Sequence, residues 1–218
     1  MKNTFTLPDQ ETVADLTAFL QRSKRLDPEG MVRLRAFGPV LAAYVAPIFA
    51  GSLMDSGPTV LGLRTCDLAV DGEVDAVVPI SAVLDRLARL VNASGPLVVE
   101  LPAPERASWA GIAPPRAGWQ ASGLIAEPVL TQLAKDGIEE VKNTLPESVG
   151  GPIAARIRGE IWGRGIPADP RIPTGAAFAI AGLGFLTENE EVGIFVADGW
   201  VRLSAEHGHV ISKVARHL

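Results

Sequence analysis

The spacing of apolar residues changes period several times along the chain, and each change marks an element. After Asp9, Val13, Leu16, Phe19 and Leu20 recur at the helical interval, with Glu11 early and Arg22, Lys24 and Arg25 late. Acid before base complements a helix dipole, and Asp9 can cap the free amides. A helix of about fifteen residues is therefore predicted, stopped by Asp27-Pro28 and Gly30. The period then falls to two. Val32, Leu34 and Ala36 alternate with Arg33 and Arg35, as in a half-buried strand. Gly38-Pro39 reads as a turn into a second strand over Val40 to Val45. A loop through Gly51, Ser52, Asp55, Ser56, Gly57 and Pro58 leads to a third, from Thr59 to Val70. Asp71-Gly72 lies between two apolar runs and suits a type I′ hairpin turn. Val74 to Ile80 is thus predicted to return as the fourth strand of an antiparallel meander.

Ser81 is placed to cap a helix whose Val83, Leu84, Leu87, Leu90 and Val91 share one face. Ser94-Gly95-Pro96 ends it, and Leu97 to Leu101 reads as a strand. Pro102, Pro104, Pro114 and Pro115 argue against regular structure over 102–124, although Trp109 and Trp119 need packing there. Helical spacing resumes at Pro128 with Leu130, Leu133, Ala134, Ile138, Val141 and Leu145; Gly137 weakens its middle and Pro146 ends it. Ile153, Ile157 and Ile161 mark a shorter helix after Gly150-Gly151-Pro152. Thr174 heads the run Ala176 to Leu186, apolar on every face, which reads as a core helix with a buried strand as the alternative. A second meander closes the chain: Val192 to Ala197, an Asp198-Gly199 turn, Trp200 to Ser204, a turn at Glu206 to Gly208, and His209 to Lys213.

The fold class that follows is α+β, with antiparallel meanders over about 31–80 and 192–213 packed with four to six helices. The whole of 1–218 reads as one globular unit or as two closely joined subdomains, 1–101 and 102–218. With 47% apolar and 21% charged residues, the chain can build a core. Its net charge is −5 and its basic residues are scattered, which argues against nucleic acid as a partner. The single cysteine, Cys66, excludes an internal disulfide and any cysteine-based zinc site, and suits a reducing compartment. Met1 to Gln10 lacks a signal peptide's apolar core. Pro39–Gly51 and Gly175–Leu186 fall short of the ~20 residues that span a bilayer. A cytoplasmic protein without membrane contact is expected.

Candidate chemistry is sparse. Cys66 has no neighbouring base to form a thiolate and reads as a small core residue. His207 and His209 would share a strand face, but His207 falls in a turn, and His217 lies next to the end. Gly150-Gly151-Pro152 opens a helix without the Lys-Ser/Thr of a P-loop. No catalytic residue, metal ligand or cofactor is assigned. The best candidate surface is the segment Trp109 to Trp119 with Arg116 between the two indoles, because Trp and Arg dominate binding hot spots. Two readings follow. One is a non-enzymatic interaction or assembly protein that binds copies of itself or another protein. The other is a small-molecule-binding protein or enzyme, its pocket closed by this segment and Arg116 gripping an anion.

Pro114-Pro115-Arg116-Ala117-Gly118-Trp119, Ala176-Ala177-Phe178, Leu183-Gly184-Phe185-Leu186, Gly199-Trp200-Val201-Arg202-Leu203 and Gly208-His209-Val210 together resemble a group of uncharacterised actinobacterial proteins over the C-terminal half. The resemblance implies a bacterial cytosolic origin. It brings no activity and no site residues.

Overall fold

The computed structural model describes residues 3–50, 57–145 and 150–213. Residues 51–56 of the expected loop, Pro146 and His217 lie outside them. The chain is α+β, as its periodicity indicates. It divides into two compact units, Met1–Pro47 with Leu63–Gly111, and Ile48–Gly62 with Ile112–Leu218.

The first unit opens with strand β1 (Thr4–Leu7) and helix α1 (Gln10–Leu26). Asp9 caps the helix as expected: its Oδ1 accepts from the Thr12 amide at 2.7 Å and from the Thr12 hydroxyl at 2.8 Å. Two long strands follow, β2 (Met31–Ile48) and β3 (Thr59–Pro79), then helix α2 (Ile80–Leu90) and strand β4 (Leu97–Glu100). β1 and β4 pair antiparallel, from Thr4 opposite Glu100 to Leu7 opposite Leu97. Val13, Leu16 and Leu20 of α1, Val83 and Leu87 of α2, and Val32, Leu34, Val74 and Val78 of the ribbon form the core.

The ribbon corrects the expected four-strand meander: two strands occupy its place. Gly38 does not turn the chain back. At φ 101° it lets the strand slip by one residue, so the inward set changes from Val32, Leu34 and Ala36 to Leu41, Ala43 and Val45. Asp71-Gly72 is not a hairpin turn either, since neither residue has the positive φ that a type I′ turn requires. Gly72 is needed for close approach instead. A Cβ there would lie 2.7 Å from Leu68 Cδ1 and 3.1 Å from Ala36 Cβ. Ser81 is likewise no cap, because α2 begins directly where β3 ends, at Pro79.

In the second unit the start of β3 borders an antiparallel array in the order β10, β9, β8, β5. Here β5 is Gln120–Ala126, β8 Glu191–Ala197, β9 Trp200–Ala205 and β10 Gly208–Lys213. Between β5 and β8 come α3 (Glu127–Thr144), α4 (Gly151–Gly163), the short pair β6 (Gly165–Ile166) and β7 (Asp169–Pro173), and α5 (Thr174–Gly182). α5 is a helix rather than the alternative strand. Its Ala176, Ala177, Ala179 and Ile180 are buried, and the three alanines let neighbouring elements pack closely. Thr174 does not cap it; its hydroxyl donates to the Arg164 carbonyl at 2.9 Å. The C-terminal meander is present. Asp198 and Gly199, at φ 46° and 78°, form the expected turn. Strand β5 replaces the last part of the irregular structure expected over 102–124. β6 and β7 were also not foreseen.

Candidate functional site

The residues of the Trp109 to Trp119 segment fall in different units. Trp109 lies in a 3-10 turn, Ser108–Gly111, of the first unit and is 4% exposed. The next carbonyl, Ala110, accepts from Arg33 Nη1 at 2.6 Å, which fastens this turn to the ribbon. Arg116 and Trp119 belong to the second unit, where Arg116 is exposed. The Trp119 indole Nε1 donates to the Pro115 carbonyl at 3.0 Å, and Gly118 takes a φ of 80° to close the turn.

The arginine that meets Trp119 is Arg202. Its guanidinium carbon lies 4.7 Å from the centroid of Trp119 and 4.7 Å from that of Phe195. Sequence reasoning missed this residue, although half of the arrangement was within reach. The Asp198-Gly199 turn fixes the register so that Phe195 stands opposite Arg202. Two residues back along β9, Trp200 carries a second cation, with Lys213 Nζ 5.7 Å from its centroid. Trp200 stands opposite Lys213, and both share a sheet face with Arg202. Burial lowers the Arg202 pKa, and the Nε atom is buried without a hydrogen-bond partner.

Beside this face runs a groove of about 1210 Å³, lined among others by Thr59, Gln120, Arg171, Asp198, Trp200 and Lys213. Its cations differ in kind. Arg171 is held by Asp169, through Nε to Oδ1 at 2.9 Å and Nη2 to Oδ2 at 2.6 Å, and also donates to Ser122 Oγ at 2.7 Å. That grip keeps the Asp169 carboxyl below its usual range and raises the Arg171 pKa. Lys213 has only the ring beneath it among the described residues.

Other candidates take structural places. Cys66 sits half-buried on β3, and burial, aided by the charges of Asp15 and Asp67, pushes its thiol up to about 12, far from a reactive thiolate. His207 lies in the β9–β10 turn and His209 on β10. Gly150 precedes α4 without any side-chain cap. Among the described residues, no three His, Cys, Asp or Glu side chains gather as metal ligands. No helix among them is long and apolar enough to cross a membrane.

Two family models match the sequence: Domain of unknown function (DUF8010) over residues 1–111, and Domain of unknown function (DUF8185) over residues 114–217. No curated protein matches it. In fold the chain is similar to bacterial sliding clamps. The clamp (DNA polymerase III subunit beta) of Bartonella birtlesii, bound to griselimycin, gives a TM-score of 0.53 at 11% identity, covering 99% of this chain and 65% of the clamp. The Caulobacter crescentus DNA polymerase sliding clamp gives 0.53 at 13%, covering 99% and 66%. The DNA polymerase III subunit beta of Pseudomonas aeruginosa gives 0.52 at 14%, covering 99% and 65%. The chain thus spans slightly less than two thirds of these proteins, and the likeness is one of fold.

Proposed function

We propose, from the premise that this chain belongs to the Domain of unknown function (DUF8010) family, that it is a non-enzymatic interaction and assembly protein of the actinobacterial cytosol that associates with copies of itself. The observation that carries this reading is the open edge of β5. Its seven residues, Gln-Ala-Ser-Gly-Leu-Ile-Ala, include no charge and no proline; five are exposed, and Leu124 is 66% exposed. One edge pairs with β8, and no strand lies along the other among the described residues. Such an edge offers its amides and carbonyls to another strand, and monomeric proteins usually blunt it with lysine or proline. Paired antiparallel with its own copy about Gly123, β5 would set Gln120 against Ala126 and Ser122 against Leu124, with no like charges opposed. The irregularity between Ala121 and Gly123 keeps the pairable run short.

The likeness to sliding clamps is one of fold and by itself assigns no role. The matched clamps belong to DNA polymerases, so the fold lends no support to the expectation that nucleic acid is absent from the partners. Light scattering after gel filtration tests the proposal. The expected mass is a whole multiple of 23.0 kDa. Leu124→Lys, which puts a charge on the edge, should return the chain to a monomer. A monomer at every concentration would refute self-association, and an unchanged oligomer in the variant would remove β5 as its contact.

A small-molecule ligand is the second reading, favoured by the size of the groove beside Trp119. Native mass spectrometry on gently purified protein would support it by an added mass, and a bare chain mass would not.

A further inference from the structure

We propose that Arg202 and Lys213 anchor an acidic segment of a partner protein, whose carboxylates lie against the outer face of the C-terminal sheet. This deepens the interaction reading above and rests on it.

Several arginines of the chain are held by carboxylates, and Arg86 donates to the Ala82 and Glu100 carbonyls instead. Arg33 and Arg35 share Asp75, Arg64 holds Asp15, Arg156 holds Glu160, Arg164 holds Glu140 and Arg171 holds Asp169. Arg202 and Lys213 have no carboxylate among the described residues, and each lies on aromatic rings instead. Acidic residues outnumber basic ones by 25 to 20, so carboxylates are not scarce. The register that sets Trp200 opposite Lys213 and Arg202 opposite Ile211 places both cations on one face.

The rings make Arg202 a prepared receptor. With Trp119 and Phe195 both against it, the guanidinium is confined, so less side-chain freedom remains to be lost when an anion arrives. Its Nε is closed off from solvent, which leaves the outer Nη edge for contact. In-plane approach to that edge gives two parallel hydrogen bonds, the geometry of a carboxylate. Lys213, exposed at the end of β10, adds a point charge for a second acidic residue. A nucleic acid fits less well, because its affinity comes from neutralising many phosphates in a basic stripe and this chain is acidic, with its basic residues scattered.

The experiment titrates the full chain with a short, end-capped, all-glutamate peptide and follows tryptophan fluorescence, since Trp119 and Trp200 touch the two cations. An all-glutamine peptide is the control. We expect a saturable change with the glutamate peptide alone, weakening as salt rises. Arg202→Gln combined with Lys213→Gln should weaken binding by roughly tenfold or more, as truncation of central interface residues commonly does. Arg156→Gln, which removes a cation already paired on a helix surface, should bind as the parent does. If the double variant loses its circular dichroism spectrum, Lys213→Gln alone must still weaken the peptide severalfold. No saturable binding, equal affinity in these variants, or tighter binding of a thymidine oligonucleotide through the same residues would overturn the proposal. Light scattering on the same samples separates the two claims: an assembled protein that ignores the peptide refutes this site alone.

Discussion

The β2–β3 ribbon and the outer face of the C-terminal sheet handle the same side chain in opposite ways. On the ribbon, Arg33 gives Nε and Nη2 to the two oxygens of Asp75, at 2.8 and 2.9 Å, and Nη1 to the Ala110 carbonyl. Three directional donors are used inside the fold, and the side chain joins two strands to the turn that carries Trp109. On the C-terminal sheet, Arg202 makes no hydrogen bond among the described residues and lies against two rings. Ring contact holds a guanidinium in position without using its donors. The first arrangement is a structural tie. The second keeps a charge at the surface, oriented and without an internal counter-ion.

The strongest way to break this contrast is to cut the ribbon's tie. Asp75→Ala leaves Arg33 and Arg35, each about one-fifth exposed, without their carboxylate. The expected loss is about 2–3 kcal/mol, typical of hydrogen bonds to charged groups removed from one side. Urea unfolding measures it, and a loss near zero would mean that solvent replaces Asp75 freely.

A smaller effect comes from acid. The carboxyls of Asp9, Glu140 and Asp169 lie below their usual range, held by the Thr12 amide, the Arg164 guanidinium and the Arg171 guanidinium. A carboxyl lowered by folding stabilises the native state above its unfolded pKa of about 4 and loses that contribution as pH falls through the native value. The melting temperature should therefore hold near neutrality and fall below the ordinary carboxylate range. Asp169→Asn should make that fall shallower; an identical profile would show that the Arg171 contact contributes nothing.

How far these regions could be read in advance depends on whether the deciding contact is near in sequence. Helices α1, α3 and α4 were legible because their apolar spacing and stop residues are local. The dipeptide Asp-Gly occurs twice between apolar runs with opposite results. At 198–199 both residues reach positive φ and turn the chain; at 71–72 the strand runs straight through. At 72 the glycine answers to packing instead, since a Cβ there would crowd Leu68 Cδ1 and, across the ribbon, Ala36 Cβ. Gly137 shows the same limit. In sequence it is a weak helix residue, whereas in the fold the Trp162 ring occupies the place of its missing side chain. β5 was hidden because an exposed edge strand needs no alternation. Arg116 lies between the two indoles in sequence, whereas the arginine that meets Trp119 comes from β9.

The smallest expected effects decide whether the ring-held cation is itself structural. Arg156–Glu160, with side chains 80% and 62% exposed, sets the floor: Arg156→Ala should change stability by no more than about 0.5 kcal/mol. Arg202→Gln should cost somewhat more, up to about 1 kcal/mol, because a ring contact is lost but no buried carboxylate is stranded. Both belong in the same urea series as Asp75→Ala. If Arg202→Gln falls near the floor, the rings carry little of the fold and the charge remains available for an external partner. If it approaches the Asp75 loss, Arg202 is a rivet pinning the Trp119 turn to the sheet, and the two faces differ in appearance but not in kind.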